Sequence, residues 1–275
     1  MVTNDNKKVK IALEGVPETL LYPLWGRAKE SEKAKPYLLD PKASEIVRQM
    51  DYDFARVDKV YFEFGQMWDI ILHKYLDDAI KKFTADHPKA TVVNIGAGLD
   101  TAFYRVDNGS IRWYDLDLPE VINLRRKLIP ETDRSKCIAK SVFDLSWLDD
   151  IGPTQDGLFL FARAVFMWLE QPDLKRLFSA LATRYPDAEM IFDSYKVFVT
   201  WLSDLVNRRI GLPGPKWATS GGKQIARWSD HIEVIDEWPL FSRVPKDTSW
   251  KRQTIMLMNL CDWFRQMKVV HLQFK

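Results

Sequence analysis

Val92-Val-Asn-Ile-Gly-Ala-Gly-Leu-Asp-Thr101 is the stretch on which the fold turns. A β-branched run from Thr91 to Ile95 enters a Gly-x-Gly turn made by Gly96, Ala97 and Gly98. Two glycines let the backbone fold tightly and approach a ligand with no Cβ in the way, as the first turn of a doubly wound sheet requires. The next strand-like run ends in Trp113-Tyr-Asp-Leu-Asp117, which puts Asp115 and Asp117 nineteen and twenty-one residues beyond Gly96. An acidic side chain about 20 residues after such a turn stands at the end of the second strand, where it can accept ribose hydroxyls. Turn and carboxylates together imply a ligand containing adenosine.

The turn also discriminates between such ligands. A dinucleotide asks for a third small residue where Thr101 stands, because the helix that follows faces a pyrophosphate. Asp100 beside it would repel a diphosphate and suits a cationic group instead. S-adenosylmethionine has no phosphate, carries an ammonium and a sulfonium, and shares the ribose. Ser141-Val-Phe-Asp-Leu145 adds Asp144, placed to take the exocyclic amine of adenine, with an adjacent apolar side chain to cover the ring. Any one of these aspartates alone reads equally as a cap or turn residue. Their order and spacing carry the argument.

Working outward, short β-branched or aromatic runs alternate with helical patterns, the signature of βαβ units and a parallel sheet. Six or seven strands are expected: Thr91–Ile95, Ser110–Tyr114, Lys136–Lys140, Gly157–Phe161, Glu189–Phe192, Ile232–Ile235 and Lys268–Phe274. Leu72, Leu76, Ala79, Ile80 and Phe83 form a helical stripe before the first strand. Leu174, Leu177, Phe178 and Leu181 form another, opened by Pro172. Asp40 and Pro41 read as a helix cap and first residue, with Ala43, Ile46, Val47 and Met50 inward. Val197, Phe198, Trp201, Leu202, Leu205 and Val206 predict an amphipathic helix, ended by Gly211-Leu-Pro-Gly-Pro215. The expected organisation is one α/β domain over 1–275: a helical cap (1–90), a core (91–195 and 231–275) and a lid insertion (196–230).

A balance of 40 Lys and Arg against 38 Asp and Glu gives +2, which excludes nucleic-acid coating by net charge. Two cysteines, Cys137 and Cys261, build neither a disulfide framework nor a zinc site, so no metal is expected and a cytoplasmic location is. Met1 to Lys10 is polar and basic, and Ile11-Ala-Leu-Glu-Gly15 offers no apolar run of signal-peptide length. The longest apolar stretch, Leu158 to Leu169, falls short of a membrane span, so no membrane role is expected. Eight of the eleven tryptophans lie from Trp147 onward, which suggests an aromatic acceptor pocket using Trp168, Trp201 and Trp217. Core packing is the competing reading for each.

The chain resembles the leucine carboxyl methyltransferase family, in its bacterial polyketide O-methyltransferase branch. The resemblance rests on Glu18-Thr-Leu-Leu-Tyr-Pro-Leu-Trp-Gly-Arg-Ala-Lys-Glu-Ser31, Asp40-Pro-Lys-Ala43, Met50-Asp-Tyr-Asp-Phe54, Asn94-Ile-Gly-Ala-Gly-Leu-Asp-Thr101, Tyr114-Asp-Leu-Asp-Leu-Pro119 and Asp144-Leu145. It implies a Rossmann-like seven-stranded methyltransferase sheet, mostly parallel with the last strand antiparallel. It also implies S-adenosylmethionine as cofactor, with Gly96, Asp117, Asp144 and Leu145 on cofactor-binding positions. Two departures stand out. Arg163 occupies the end of the fourth strand, where the family commonly has a glutamate. Phe64-Gly-Gln-Met-Trp-Asp69 lacks the arginine usually offered to the cofactor carboxylate, and Arg27 is the expected replacement. With Arg163 in place, the ammonium could turn to Asp100, or Arg163 itself could bind the cofactor carboxylate or an acidic substrate.

Methyl transfer chiefly needs alignment and exclusion of water. A carboxylate acceptor needs no base, whereas a phenol does, and His231 and Asp193 are the sequence candidates. The expected function is an O-methyltransferase acting on a small-molecule hydroxyl or carboxyl acceptor. The alternatives are a protein C-terminal carboxyl methyltransferase, or a binding protein whose cofactor site was lost through Arg163 and Gln66.

Overall fold

The computed structural model of the protein describes residues 8–10, 19–209, 213–246 and 249–275. The expectations for Met1 to Lys7, Ile11 to Gly15, Glu18, Gly211 and Leu212, and for the Val206 side chain, lie outside the described residues.

Seven strands form one sheet: β1 (Thr91–Ile95), β2 (Arg112–Asp117), β3 (Ser135–Ala139), β4 (Leu158–Ala162), β5 (Glu189–Tyr195), β6 (Ile232–Pro239) and β7 (Met267–Phe274), in the order β3-β2-β1-β4-β5-β7-β6. The first five in that order pair in parallel, and β7 is antiparallel to both β5 and β6. All seven expected strands are present, most of them shifted or lengthened by a few residues. β5 extends through Tyr195 because β7 pairs with it as far as Met267.

Both faces of the sheet are covered, so β1 and β4 are buried at every residue and read as continuous apolar runs. The strand period of two divides the core between the faces. Val92, Trp113, Phe159, Phe161, Ile191 and Val269 pack with the long helix α3 (Glu63–Asp86). Val93, Leu116, Leu160, Phe192 and Val270 pack on the other side with Leu174, Leu177, Phe178 and Leu181 of α6 (Gln171–Arg184). A third cluster joins α1 (Leu21–Ser31) and α2 (Pro41–Gln49) to Leu99 and to Leu124 and Leu128 of α5 (Pro119–Leu128). Between β1 and β2 runs the single-turn α4 (Ala102–Val106). Asp40 caps α2, its carboxylate accepting from the Ala43 amide at 3.0 Å, and Pro41 occupies the first turn as expected.

The helix expected over the lid is α7 (Val197–Arg209), but its apolar residues face solvent. Trp201 is 57% exposed, and Val197, Phe198, Leu202 and Leu205 are exposed beside it. The tryptophan-rich half is also more structural than expected. Trp147, Trp217, Trp238 and Trp250 are buried, with Trp217 against Trp228 and Trp238 against Tyr75. Trp168, Trp201 and Trp217 therefore do not assemble one flat pocket.

Candidate active site

Sheet order alone lines up the expected site. Along the carboxyl edge, β3, β2, β1, β4 and β5 present Asp144, Asp117, the Gly96–Gly98 turn, Arg163 and Asp193 in that sequence. At about 4.8 Å per strand the row spans roughly 19 Å. Gly96 and Gly98 both take left-handed backbone, φ +67° and +48°. A Cβ on Gly96 would lie 2.3 Å from Val165 Cγ2, so the glycine is needed for conformation and for space. Ala97 is buried, leaving its backbone as the part that faces the turn.

Asp117 fastens the turn to β2: its carboxylate accepts from the Gly98 amide at 2.7 Å and the Leu118 amide at 2.7 Å. Each oxygen keeps a lone pair for a hydroxyl. Burial pushes this carboxyl above its ordinary range despite the two amides. Asp144 is exposed and its carboxyl is held below the usual value by Ser146, whose amide donates to it at 3.2 Å. Leu145 is half-buried next to it and packs on the α6-side core.

Beside the turn lies a buried cluster of charge that the sequence reading missed. In α3, Asp69, His73 and Asp77 fall at i, i+4 and i+8, on one side of the helix. They meet arginines from three other segments. Arg163 Nη1 donates to Asp69 at 2.7 Å, and Arg105 of α4 holds Asp77 with two bonds of 2.7 and 3.0 Å. Arg27 of α1 donates to Asp40 at 2.9 Å and to the Leu99 carbonyl at 2.9 Å, and its Nη1 is 2.8 Å from His73 Nε2. Asp40 also receives Arg105 at 2.7 Å and the Thr101 hydroxyl. Burial, with Arg163 and Arg27 adding to it, holds the His73 imidazole well below its ordinary value, so it is neutral. Three guanidiniums thus face the carboxylates of Asp40, Asp69, Asp77 and Asp100. The only sequence signal was the polar i, i+4, i+8 stripe inside an apolar helix.

Beyond Asp69 the two departures from the family pattern meet in space. Arg163 follows Phe159 and Phe161 on the α3 side of the sheet, and Asp69 belongs to the stretch that lacks the family's arginine. The pair is not saturated: Arg163 Nε and Asp69 Oδ2 are buried with no donor or acceptor at ordinary hydrogen-bond distance, although the Tyr61 hydroxyl bears on Asp69 and His73 Nδ1 lies 3.7 Å from its Oδ2. The same holds one strand further on. Asp193 Oδ1 accepts from the Ala164 amide at 2.7 Å, holding a left-handed alanine of φ 54°, while Asp193 Oδ2 is buried with no donor at ordinary distance. Trp68 Nε1 and the Tyr195 hydroxyl are also buried, their rings perpendicular at 5.6 Å, and the hydroxyl bears on both Trp68 and the Asp193 carboxylate. Desolvation raises the carboxyls of Asp69 and Asp193, although Arg163 lowers the first and a hydrogen bond with Tyr195 the second, and desolvation drives the Tyr195 phenol well above its ordinary value.

Three expectations need correction. His231 immediately precedes β6, whose first residue, Ile232, pairs with Phe274 at the far end of β7, so His231 sits exposed on the opposite edge of the sheet from the turn. Asp115 is 1% exposed and fully engaged by Arg125 at 2.7 Å, Trp113 Nε1 at 2.9 Å and Asn94 at 3.0 Å; two residues short of the edge, it braces β2 instead of meeting ribose. Arg27 is equally buried, and all three guanidinium nitrogens are occupied within the protein, so it supports the turn and does not reach over it. Asp100 is 2% exposed, bonded to the Ala102 amide and flanked by Arg105 and Arg163. Burial alone would raise its carboxyl, but the facing His73 and the guanidiniums of Arg105 and Arg163 hold it well below the usual range. Among the described residues no group of acids, histidines or cysteines is arranged to hold a metal, and no helix is long and apolar enough to cross a membrane.

Comparison with known proteins gives the family and the fold. The model of the family described as Leucine carboxyl methyltransferase matches residues 21–146, from α1 to the turn after β3. The chain is 32% identical over 185 residues to the tetracenomycin polyketide synthesis O-methyltransferase TcmP of Streptomyces glaucescens, covering 67% of each chain. It is 28% identical over 204 residues to the S-adenosyl-L-methionine-dependent methyltransferase dpfgK of Gibberella zeae, covering 68% of each. Two solved structures share the fold. One, from Thermobifida fusca, has a TM-score of 0.59 at 13% identity over 92% of this chain and 95% of its own. The other, a DUF574 family protein from Streptomyces avermitilis, has 0.57 at 12% identity over 91% and 97%.

Proposed function

The chain belongs to the leucine carboxyl methyltransferase family, and from that premise we propose that it is an S-adenosylmethionine-dependent O-methyltransferase acting on a small-molecule acceptor. The observation that carries the reading is the row Asp144, Asp117, Gly96–Gly98 and Arg163 on adjacent strand ends. Asp144 and Leu145 would hold adenine and Asp117 the ribose. The amino-acid end of the cofactor carries one cation and one anion. Asp69 Oδ2 and Arg163 Nε, both short of an ordinary hydrogen bond, are one acceptor and one donor, the complement of that pair. A buried carboxylate and guanidinium left half-bonded are costly, and a zwitterionic group satisfies both. Bound there, S-adenosylmethionine would supply a methyl carbon already activated by a sulfonium. The protein's share is then to align the acceptor and keep water out.

With the cofactor over β1 and β4, the acceptor comes to the ends of β4 and β5, where Asp193 stands. Cys137 and Cys261 are free thiols, which suits a reducing, cytoplasmic setting. Calorimetric titration with S-adenosylhomocysteine tests the reading. Each hydrogen bond to a carboxylate is worth about 1.5–3 kcal/mol, so Asp117→Ala and Asp144→Ala should each weaken binding by roughly 10- to 100-fold. No heat with the unmodified protein, or equal affinity in both variants, would overturn it.

A further inference from the structure

We infer that two copies of this chain pair through the outward faces of α7 and of a helix that adjoins it, α8 (Arg252–Trp263). The pairing goes beyond the methyltransferase reading and does not rest on it. An ordinary surface helix turns its apolar stripe to the core and its polar side to water, and α7 does the reverse. Thr200 is buried, its hydroxyl donating to the Val197 carbonyl at 2.9 Å, while Val197, Phe198, Trp201, Leu202 and Leu205, at i, i+1, i+4, i+5 and i+8, form an exposed stripe. α8 buries Thr254 and Met258 and exposes a stripe of its own, Met256, Leu257, Leu260 and Trp263, at i, i+1, i+4 and i+7. Two hydrogen bonds bring the stripes end to end. The Lys196 amide donates to the Gln266 carbonyl at 3.0 Å and Lys196 Nζ to the Phe264 carbonyl at 3.0 Å, and Phe264 is exposed at that junction.

The size of this face identifies its occupant. Phe198, Trp201, Trp263 and Phe264 are 57–82% exposed, which at ~150–250 Å² per side chain leaves about 500 Å² of ring surface in water. The six aliphatic side chains of the stripes add roughly 300 Å². A total of about 800 Å² exceeds the largest apolar patch of an ordinary monomer and equals what one partner contributes to a stable dimer. Rings and Met256 at the centre with charges at the rim are also the composition of an interface. A groove of about 390 Å³ opens along α8 beside Ile255, Met256, Leu260 and Trp263, a seat for an aromatic anchor, and a second copy brings such rings on its own α7. Pairing about a two-fold axis lays the α7–α8 face of one protomer on that of its partner, so each exposed stripe meets another. A lipid surface fits less well. Arg208 and Lys246 are already paired with Asp204 and Asp262, and Lys251, Arg252 and Arg265 stand at the two ends of α8, about 18 Å apart, instead of lining a basic face.

Sedimentation equilibrium of the full chain over a range of concentrations tests this. Interfaces of this size dissociate at micromolar concentrations or below, so the chain should sediment at twice its own mass at about 50 µM. Phe198→Glu and Trp263→Glu each put a charge into the dry centre of the interface and should weaken pairing by about 30-fold or more, the loss expected of an interface hot spot. Both side chains face solvent in the single protomer, so the variants should keep the circular dichroism spectrum of the unmodified chain. A chain that stays monomeric at about 50 µM, or a dimer that both variants leave intact, would overturn the inference. Flotation of a monomeric chain with phosphatidylcholine–phosphatidylserine vesicles, lost in both variants, would overturn it in favour of a lipid surface.

Discussion

Gly96→Ala probes the turn that carries the site, and its cost can be worked out atom by atom. An alanine at φ +67° sits in left-handed backbone, which costs an L-residue about 1–2 kcal/mol. Its Cβ would also lie 2.3 Å from Val165 Cγ2 and 3.1 Å from Cγ1, and forcing a methyl into such a space costs about 1–3 kcal/mol. Partial relief by Val165, which is half-buried, brings the total to roughly 2–4 kcal/mol, or a fall in Tm of about 5–15 °C. Val165→Ala removes both offending carbons and leaves only its Cβ, at 3.3 Å. The double variant should therefore be less destabilised than the sum of the singles by about 1–2 kcal/mol, leaving mainly the backbone cost. Gly98→Ala is the control: φ is +48°, but the nearest atom is the flexible end of Leu20 at 3.0 Å, so the loss should stay near the backbone cost alone. Denaturant unfolding of the four proteins provides the cycle. A loss under about 0.5 kcal/mol for Gly96→Ala, or strictly additive singles, would refute the close approach of Val165.

Two further outcomes follow from the buried charge cluster. His73 is held neutral in the fold, while in the unfolded chain it takes up a proton below about pH 6.5. The unfolded state then binds more protons, so stability falls as pH drops below that value, by at most about 1.4 kcal/mol per pH unit for this one group. His73→Gln should flatten the melting temperature between pH 7.5 and 5.5 relative to the unmodified protein; parallel curves would exclude His73 as the cause. Arg27→Met should destabilise by about 3–5 kcal/mol, because Asp40 and the Leu99 carbonyl lose their partner in the interior. The molecules that remain folded should bind S-adenosylhomocysteine within about threefold of normal. A variant that stays stable but loses binding more than tenfold would make Arg27 a cofactor ligand after all.

The fold was legible because its signals are local. The strand runs, the Gly-x-Gly turn and the Asp40–Pro41 cap each depend on residues a few positions apart, and a buried parallel strand declares itself as an unbroken apolar run. The aspartates at the strand ends were legible by spacing, since a βαβ unit has a nearly fixed length. Spacing could not separate Asp115 from Asp117, which share a face of β2 and differ only in depth below the edge. Nor could it place His231, because the direction in which β6 enters the sheet is set by β7.

What the amino-acid order determined by itself is the sheet, the turn and the row of groups along one edge, with the methyltransferase reading that follows from them. What only the tertiary structure decided is which polar groups are free. Arg27 and Asp115 are consumed by partners up to 72 residues away, while Asp69 and Arg163 are brought together with one atom each short of an ordinary hydrogen bond. Hydrogen-bond satisfaction is a property of three-dimensional neighbours. A sequence fixes which side chains can donate or accept, but only the packing of α1, α3 and the strand ends fixes which of them still have something to offer a ligand.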